Sequence, residues 1–468
     1  MGCFYKNLLM GVVLLRLVLV FAGLLLLPQL AMAEVYEEDF TNLGLTGTER
    51  GIYTVLIFVI AYGFVMAEEF TGMRKSKPVI LAAGIIWAHA AILASEAGIT
   101  VEQLHEAFEY NLTEFAALML FLLVAMTYIN AMSERNVFAA LRSWMIRKKF
   151  SYKQLFWVTG VITFFLSAVA DNLTSALLVG AVVMAVGKGN DKFTAIGLVN
   201  LVVAANAGGA FSPFGDITTL MVWQAGYAEF FDFFVLFIPS VVNYVVPACF
   251  MYMALPGGQP EAAENEERIE LKPGAIQVCA LFLLTIVTAV SFKQFLHLPP
   301  FMGMMVGLSV LMIYGYSINK LYHDEGFDIF NKVRDAEWDT LFFFFGVVFA
   351  VGGLGYIGYL ELLSGAMYDG LGDTTANIFV GIISAIVDNI PVMFAVLNMN
   401  LEMDLYQWLL VTLTAGTGGS LLSVGSAAGV ALMGTSNHKY TFFSHVKWTP
   451  VIALGYFASI FVHYLVNG

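Results

Sequence analysis

Apolar runs close to the length needed to cross a hydrocarbon core of about 30 Å recur along this chain, at 52–67, 79–95, 112–132, 231–255, 275–292, 301–316, 341–360 and 451–466. Lipid cannot hydrogen-bond to a backbone, so such runs must satisfy their peptide groups internally. The expected fold class is an all-α polytopic membrane protein. Only 12% of the residues are charged, against about 25% in soluble chains, and the mean hydropathy is +0.79. The net charge of −13 says little about partners, because acids concentrate in loops (Glu261, Glu264, Glu266, Glu267, Glu270). No nucleic-acid partner is expected. Cys3 lies in a targeting segment, and Cys249 and Cys279 lie in apolar runs, so neither a disulfide framework nor a metal cluster is expected.

Residues 1–33 read as a signal peptide or a retained first helix. Lys6 and Arg16 precede an apolar core, and Ala31-Met32-Ala33 offers a cleavage site. Either way the chain resumes outside the cytoplasm. Basic clusters at Arg74-Lys75-Lys77, at 135–149 and at Lys320, Lys332, Arg334 and Lys439 then fall on one side, which the positive-inside rule makes cytoplasmic. A polar break at 257–273 is the long hydrophilic interruption and reads as a cytoplasmic linker.

The halves flanking that linker, 51–256 and 274–468, repeat each other. Ser167-Ala-Val-Ala-Asp171-Asn172 corresponds to Ser384-Ala-Ile-Val-Asp388-Asn389. Downstream, Gly208-Gly209-Ala-Phe-Ser-Pro-Phe-Gly215 aligns without gaps to Gly418-Gly419-Ser-Leu-Leu-Ser-Val-Gly425. By span count the first half starts outside and the second inside, which predicts two inverted-topology repeats. Arms of about 15 residues, or roughly 22 Å, flank Asp171 between Gln154 and Val186. They are too short to cross, so a re-entrant hairpin with its tip at Asp171-Asn172 is expected. A second hairpin should have its tip at Asp388-Asn389-Ile-Pro391. The Gly-rich runs at 206–216 and 416–426 should break the helices that follow, giving each repeat one hairpin and one broken helix. Inverted repeats with broken helices place a transport site near the bilayer midplane.

The candidate site collects Asp171, Asn172, Thr174, Asn206, Asp216, Thr218 and Thr219 from the first half, with Ser212 nearby. Ser384, Asp388, Asn389, Ser423 and Ser426 come from the second. These are hard oxygen donors suited to alkali or alkaline-earth cations. Arg, Lys and His are absent from these positions, and no basic residue is expected to reach the tips. A buried carboxylate resolves its charge by taking a cation or a proton, so Na⁺ and H⁺ should exclude each other. Asp171 and Asp388 are assigned as the carboxylates binding Na⁺ or H⁺, with Asp216 a possible third.

Ala-Asp-Asn-Leu-Thr-Ser at 170–175, Ala-Asn-Ala-Gly-Gly-Ala-Phe-Ser-Pro-Phe-Gly-Asp-Ile-Thr-Thr at 205–219 and Val-Asp-Asn-Ile-Pro at 387–391 resemble the NhaD-type Na⁺/H⁺ antiporters. These belong to a wider group with arsenite permeases and divalent-anion symporters, and the resemblance covers roughly 50–465. It implies a non-enzymatic carrier without cofactors that extrudes Na⁺, and often Li⁺, against H⁺ at alkaline pH. It also implies a homodimer in the bacterial inner membrane and adds Asp339 and Thr340 to the site. The anion symporters of the group carry Ser-Asn-Thr at their tips, so Asp at both tips argues for a cation. Alternatives are a Na⁺-coupled carboxylate or metalloid carrier, a passive channel, and an intramembrane aspartyl protease. The last rests on Asp369 and Asp373, which are four residues apart in a Gly-rich stretch read as a turn.

Overall fold

The computed structural model describes residues 42–148, 150–260, 268–322 and 327–468. The targeting segment expected at 1–33 and the central part of the linker lie outside the described residues. The secondary structure of the described residues is helical, with no strand among them, and ten of these helices are long and apolar enough to cross a membrane. The protein is a multi-pass membrane protein.

The principal helices are α1 (Glu49–Met66), α2 (Ser76–Glu96), α3 (Val101–Glu134), α4 (Tyr152–Ala170), α5 (Asn172–Val186), α6 (Asp191–Gly209), α7 (Ile217–Ala225) and α8 (Phe237–Ala254). They continue with α9 (Ala275–Leu296), α10 (Pro300–Tyr322), α11 (Trp338–Ile357), α12 (Asp373–Val387), α13 (Asn389–Leu397), α14 (Leu405–Gly418), α15 (Ala427–Thr435) and α16 (Thr449–Asn467). The chain forms two compact units, each drawing on both halves of the sequence.

One unit comprises 113–141 with the described part of 268–341. There α9 packs on α10, and a Cβ on Gly303 would strike the Ala289 backbone, so glycine permits their close approach. Tyr128 bridges Thr285 Oγ1 and the Gly307 carbonyl, both at 2.8 Å. Fully buried Arg135 lies over the Phe327 ring at 3.8 Å and pairs with Glu134, which Lys332 also reaches at 2.8 Å. A buried guanidinium is tolerable only with such partners.

The other unit comprises the described residues of 42–112, 142–267 and 342–468, and both repeated motifs lie within it. A capping box between Ser151 and Gln154 starts α4, which meets α5 at Asp171. The two arms pack on each other and on α6. Helix α6 ends at Gly209, seven non-helical residues follow, and Asp216 caps α7. The second motif repeats the plan. Helices α12 and α13 meet at Asp388 and pack on α14, which ends at Gly418, and Ser426 caps α15. Each return arm packs on the helix that follows the other motif's break, α5 with α15 and α13 with α7.

The arms differ in length from expectation. Helix α4 has 19 residues and is long and apolar enough to cross a membrane, starting at the capping box. Its return arm has 15, and the second hairpin has 15 and 9. The stretch read as a Gly-rich turn around Asp369 is also helical. Gly365–Asp369 forms one π-helical turn, and the Tyr368 hydroxyl donates to Asn377 Oδ1 at 3.0 Å. The turn contracts to Gly372, whose φ of 77° suits glycine.

Candidate functional site

Both hairpin tips have the same uncommon backbone. Asp171 (φ 62°, ψ 163°) and Asp388 (φ 81°, ψ 141°) sit in or beside a region that is nearly glycine-only, at a cost of about 1–3 kcal/mol each. This turns the chain back sharply and presents the next residue, Asn172 or Asn389, inward at the first turn of the return helix. The Ser four residues before each tip holds the motif together. Ser167 donates to the Ala205 carbonyl at 2.6 Å and Ser384 to the Ala415 carbonyl at 2.8 Å. The glycines do the same by absence. A Cβ on Gly208 would strike the Phe164 carbonyl, and one on Gly418 the Gly381 carbonyl.

The centre of the resulting site is Asp216. Its carboxylate is 3% exposed and accepts from Asn172 Nδ2 at 2.8 Å and from Asn389 Nδ2 at 3.0 and 3.1 Å. One carboxylate thus takes the amides of both tips, whose asparagines are 217 positions apart. The Thr218 backbone N–H donates to Asp216 Oδ1 at 3.2 Å, an N-cap bond that also starts α7. Asn172 Nδ2 lies 3.1 Å from Asn206 Oδ1, and Asn206 donates to Ser420 Oγ at 2.9 Å and Ser426 Oγ at 3.0 Å. The Thr219 hydroxyl closes the break by donating to the carbonyls of Ser212 and Asp216 at 2.8 and 2.6 Å. Thr218 Oγ1 and Ser423 Oγ are buried without a hydrogen-bond partner. Buried hydroxyl oxygens left in that condition are uncommon and are suitable donors to a hard cation.

The sequence-derived set therefore divides. Asn172, Asn206, Asp216, Thr218, Thr219, Asn389 and Ser426 are brought together by these bonds and by the α7 cap. Asp171 accepts from the Thr174 N–H and hydroxyl, both at 2.8 Å, so Asp171 and Thr174 form a half-buried helix cap. Ser384 braces α12 against α14. Asp339 and Thr340 lie half-buried in the first turn of α11, in the unit built on 113–141 and 268–341.

One expectation is overturned. A basic residue does reach a tip, because Lys75 Nζ lies 3.1 Å from Asp388 Oδ2, with the two side chains 12% and 8% exposed. In sequence Lys75 belongs to a topogenic basic cluster with Arg74 and Lys77. Packing of residues 313 positions apart put it here, and proximity in sequence cannot exclude that. Ser420 was also missed. It follows Gly418-Gly419 directly, so its place in the second break was a usable signal.

The motifs agree with the comparisons. Residues 8–416 match the family model described as CitMHS, citrate transporter. The chain is 53% identical to a Na(+)/H(+) antiporter NhaD of Alkalimonas amylolytica, over 97% of this chain and 98% of that protein. It is also 53% identical to a Na(+)/H(+) antiporter NhaD of Vibrio cholerae, over 92% and 94%. Sodium/proton antiporter 1 of Arabidopsis thaliana is 31% identical over 89% of this chain and 72% of its own length.

Proposed function

The chain belongs to the citrate-transporter (CitMHS) family and within it to the NhaD-type antiporters, and we infer that it exchanges Na⁺ for H⁺ by secondary active transport at the site centred on Asp216. The observation that carries this is the gripping of one buried carboxylate by amides from both tips, within a shell of neutral oxygens. A membrane-embedded carboxylate is costly to leave charged and alone. Proton and cation each relieve that cost, so they compete for it. The amides of Asn172 and Asn389 can present Oδ1 in place of Nδ2 by rotating, which would convert two donors into two cation ligands. Carbonyls at the C-terminal ends of α4, α6, α12 and α14 supply the negative helix ends that favour Na⁺.

The reciprocal packing of α5 with α15 and α13 with α7 supports the reading of 51–256 and 274–468 as inverted repeats about this site, with 257–273 as the cytoplasmic linker between them. Asp171 and Asp388 join the cation path at the tips. Asp339 and Thr340 enter it through likeness to the family alone. Transport of Li⁺, a homodimeric state, a bacterial inner-membrane location and a signal peptide or retained first helix at 1–33 complete the proposal.

The alternative of a Na⁺-coupled carboxylate carrier would need a cationic group available to an anion. The basic side chain at a tip, Lys75, is engaged by Asp388, which weighs against it. The test is cation-dependent dissipation of a proton gradient in proteoliposomes. Na⁺ should release the gradient in the native protein and fail to do so in Asp216→Asn. Gradient release by citrate with Na⁺, and none by Na⁺ alone, would move the assignment to the carboxylate carrier.

A further inference from the structure

Asp171 and Asp388 occupy equivalent positions, yet their carboxylates do different things, and the residue three places on explains why. After Asp171 that residue is Thr174, which offers a backbone N–H and a hydroxyl and consumes both carboxylate oxygens. After Asp388 it is Pro391, which has no N–H and no hydroxyl. Asp388 makes no side-chain cap. One oxygen, Oδ2, faces Lys75, and the other, Oδ1, is buried without a hydrogen-bond partner. The carboxylate is thus held at the tip unspent on the local backbone.

The Lys75 ammonium is moored twice, to Asp388 and over the Phe343 ring at 4.1 Å from its centroid. The ring face attracts a cation, so the ammonium has a second resting place when the carboxylate turns away. A pocket lined by Met66, Glu68, Lys75, Asp388, Val424 and Val430 opens at this pair. Glu68 is a half-buried carboxylate on its wall, and Val424 lies within the second break and Val430 in the first turn of α15. The pocket therefore joins a charged mouth to the carboxylate at the tip.

We propose that Lys75 is a tethered surrogate cation, which occupies Asp388 when no transported ion is bound and is displaced onto Phe343 when Na⁺ arrives through this pocket. The proposal rests on the reading of Asp388 as part of the cation path. Its physical content is competition between two positive charges for one buried carboxylate. Either partner compensates the carboxylate, and its cost falls due when neither is present. The lysine weakens Na⁺ binding and in return keeps the cation-free carrier compensated, which speeds release and the return step. Lys75 is accordingly a positioning residue that sets affinity against turnover.

The experiment compares native protein, Lys75→Gln, Lys75→Arg and Asp388→Asn in proteoliposomes, reading the Na⁺ dependence of proton-gradient dissipation. Na⁺-induced thermal stabilisation of the same purified proteins is measured in detergent. Lys75→Gln should lower the Na⁺ KM about tenfold, equivalent to about 1.4 kcal/mol, lower the maximal rate, and shift the thermal response to lower Na⁺. Lys75→Arg keeps the charge and should restore a near-native KM. An unchanged or raised KM in Lys75→Gln, with Na⁺ still stabilising the protein, would overturn the proposal and leave the lysine a structural ion pair. The thermal readout decides the matter even where transport is lost. A native Na⁺ KM in Asp388→Asn would instead remove Asp388 from the cation path, and with it both the wider reading of the tips and the role of Lys75.

Discussion

The stretch from Tyr152 to Ala225 and the stretch from Asp373 to Thr435 share a frame and differ in chemistry. Both place Ser four residues before an Asp of positive φ, and both end the next helix at a Gly pair whose first member lies against a backbone carbonyl of the hairpin. The N-caps after the two breaks have nearly the same backbone, φ −145° with ψ 152° at Asp216 and φ −145° with ψ 149° at Ser426. Three equivalent pairs then diverge. Asp216 corresponds to Ser426, Thr174 to Pro391, and Asn206 to Gly416. What the motifs share builds the frame, and where they differ is where the proposed ion handling would part between them. The first motif carries the central carboxylate and spends its tip carboxylate on a cap. The second supplies a hydroxyl at the centre and leaves its tip carboxylate for Lys75.

Exchanging the central groups breaks this comparison most severely. Asp216→Asn should cut Na⁺-driven gradient dissipation at least about a hundredfold, since no neighbouring carboxylate takes both tip amides. Ser426→Ala, at the equivalent cap, should cost only about 1 kcal/mol of stability and leave transport measurable. Equal losses in the two variants, read in the same vesicles, would mean that the asymmetry between the motifs is irrelevant to transport.

Pro391→Thr restores at the second tip the donors that Thr174 gives the first. It should recapture Asp388 as a helix cap and loosen its pair with Lys75. The melting temperature should rise, since a cap is worth about 1 kcal/mol, while the transport rate falls about tenfold, the scale of a 1.4 kcal/mol change in a barrier. A faster carrier would show that the freed carboxylate is not used.

Gly416 is a finer probe. A Cβ there would lie 3.6 Å from Thr218 Oγ1 and 3.8 Å from Asp216 Oδ2, ordinary contact distances. Gly416→Ala should therefore fold normally and, as helical Gly→Ala substitutions do, gain up to about 1 kcal/mol of stability. It narrows the space beside the central carboxylate and should raise the KM for Na⁺ severalfold, and less than that for the smaller Li⁺. Equal KM changes for both ions would show that space at this point does not select between them.

The smallest effect is expected at Thr174. Thr174→Val removes one hydroxyl bond to Asp171 and keeps the backbone one, costing about 0.5–1.5 kcal/mol. The cost falls on stability, so transport should stay within about twofold of native, about 0.4 kcal/mol in a barrier, with a modest fall in melting temperature. A large transport defect would show that this cap bond also sets how Asp171 handles the ion.

Much of this architecture was legible locally. The tips, the breaks and the polar inventory follow from motifs within single stretches of chain, and the structure places Asp171 and Asp388 at the turns and Asp216 and Ser426 at the caps. The length of α4 follows from the capping box at Ser151 and Gln154, a local signal that apolar run length does not carry. The roles of the three carboxylates were less legible. Residue type alone makes Asp171, Asp216 and Asp388 equivalent acceptors, and only their partners distinguish them.

By itself the sequence determined the helical class, the two hairpin-and-break motifs and the hard-oxygen character of the site, because helix capping, glycine contacts and apolar run length act over a few residues. The tertiary structure decided that Asp216 takes the amides of Asn172 and Asn389, and that Lys75 faces Asp388. Those contacts join residues separated by 44 to 313 positions. Their partners are selected by how whole helices pack, and the free energy of burying a charge is set by whatever that packing brings beside it.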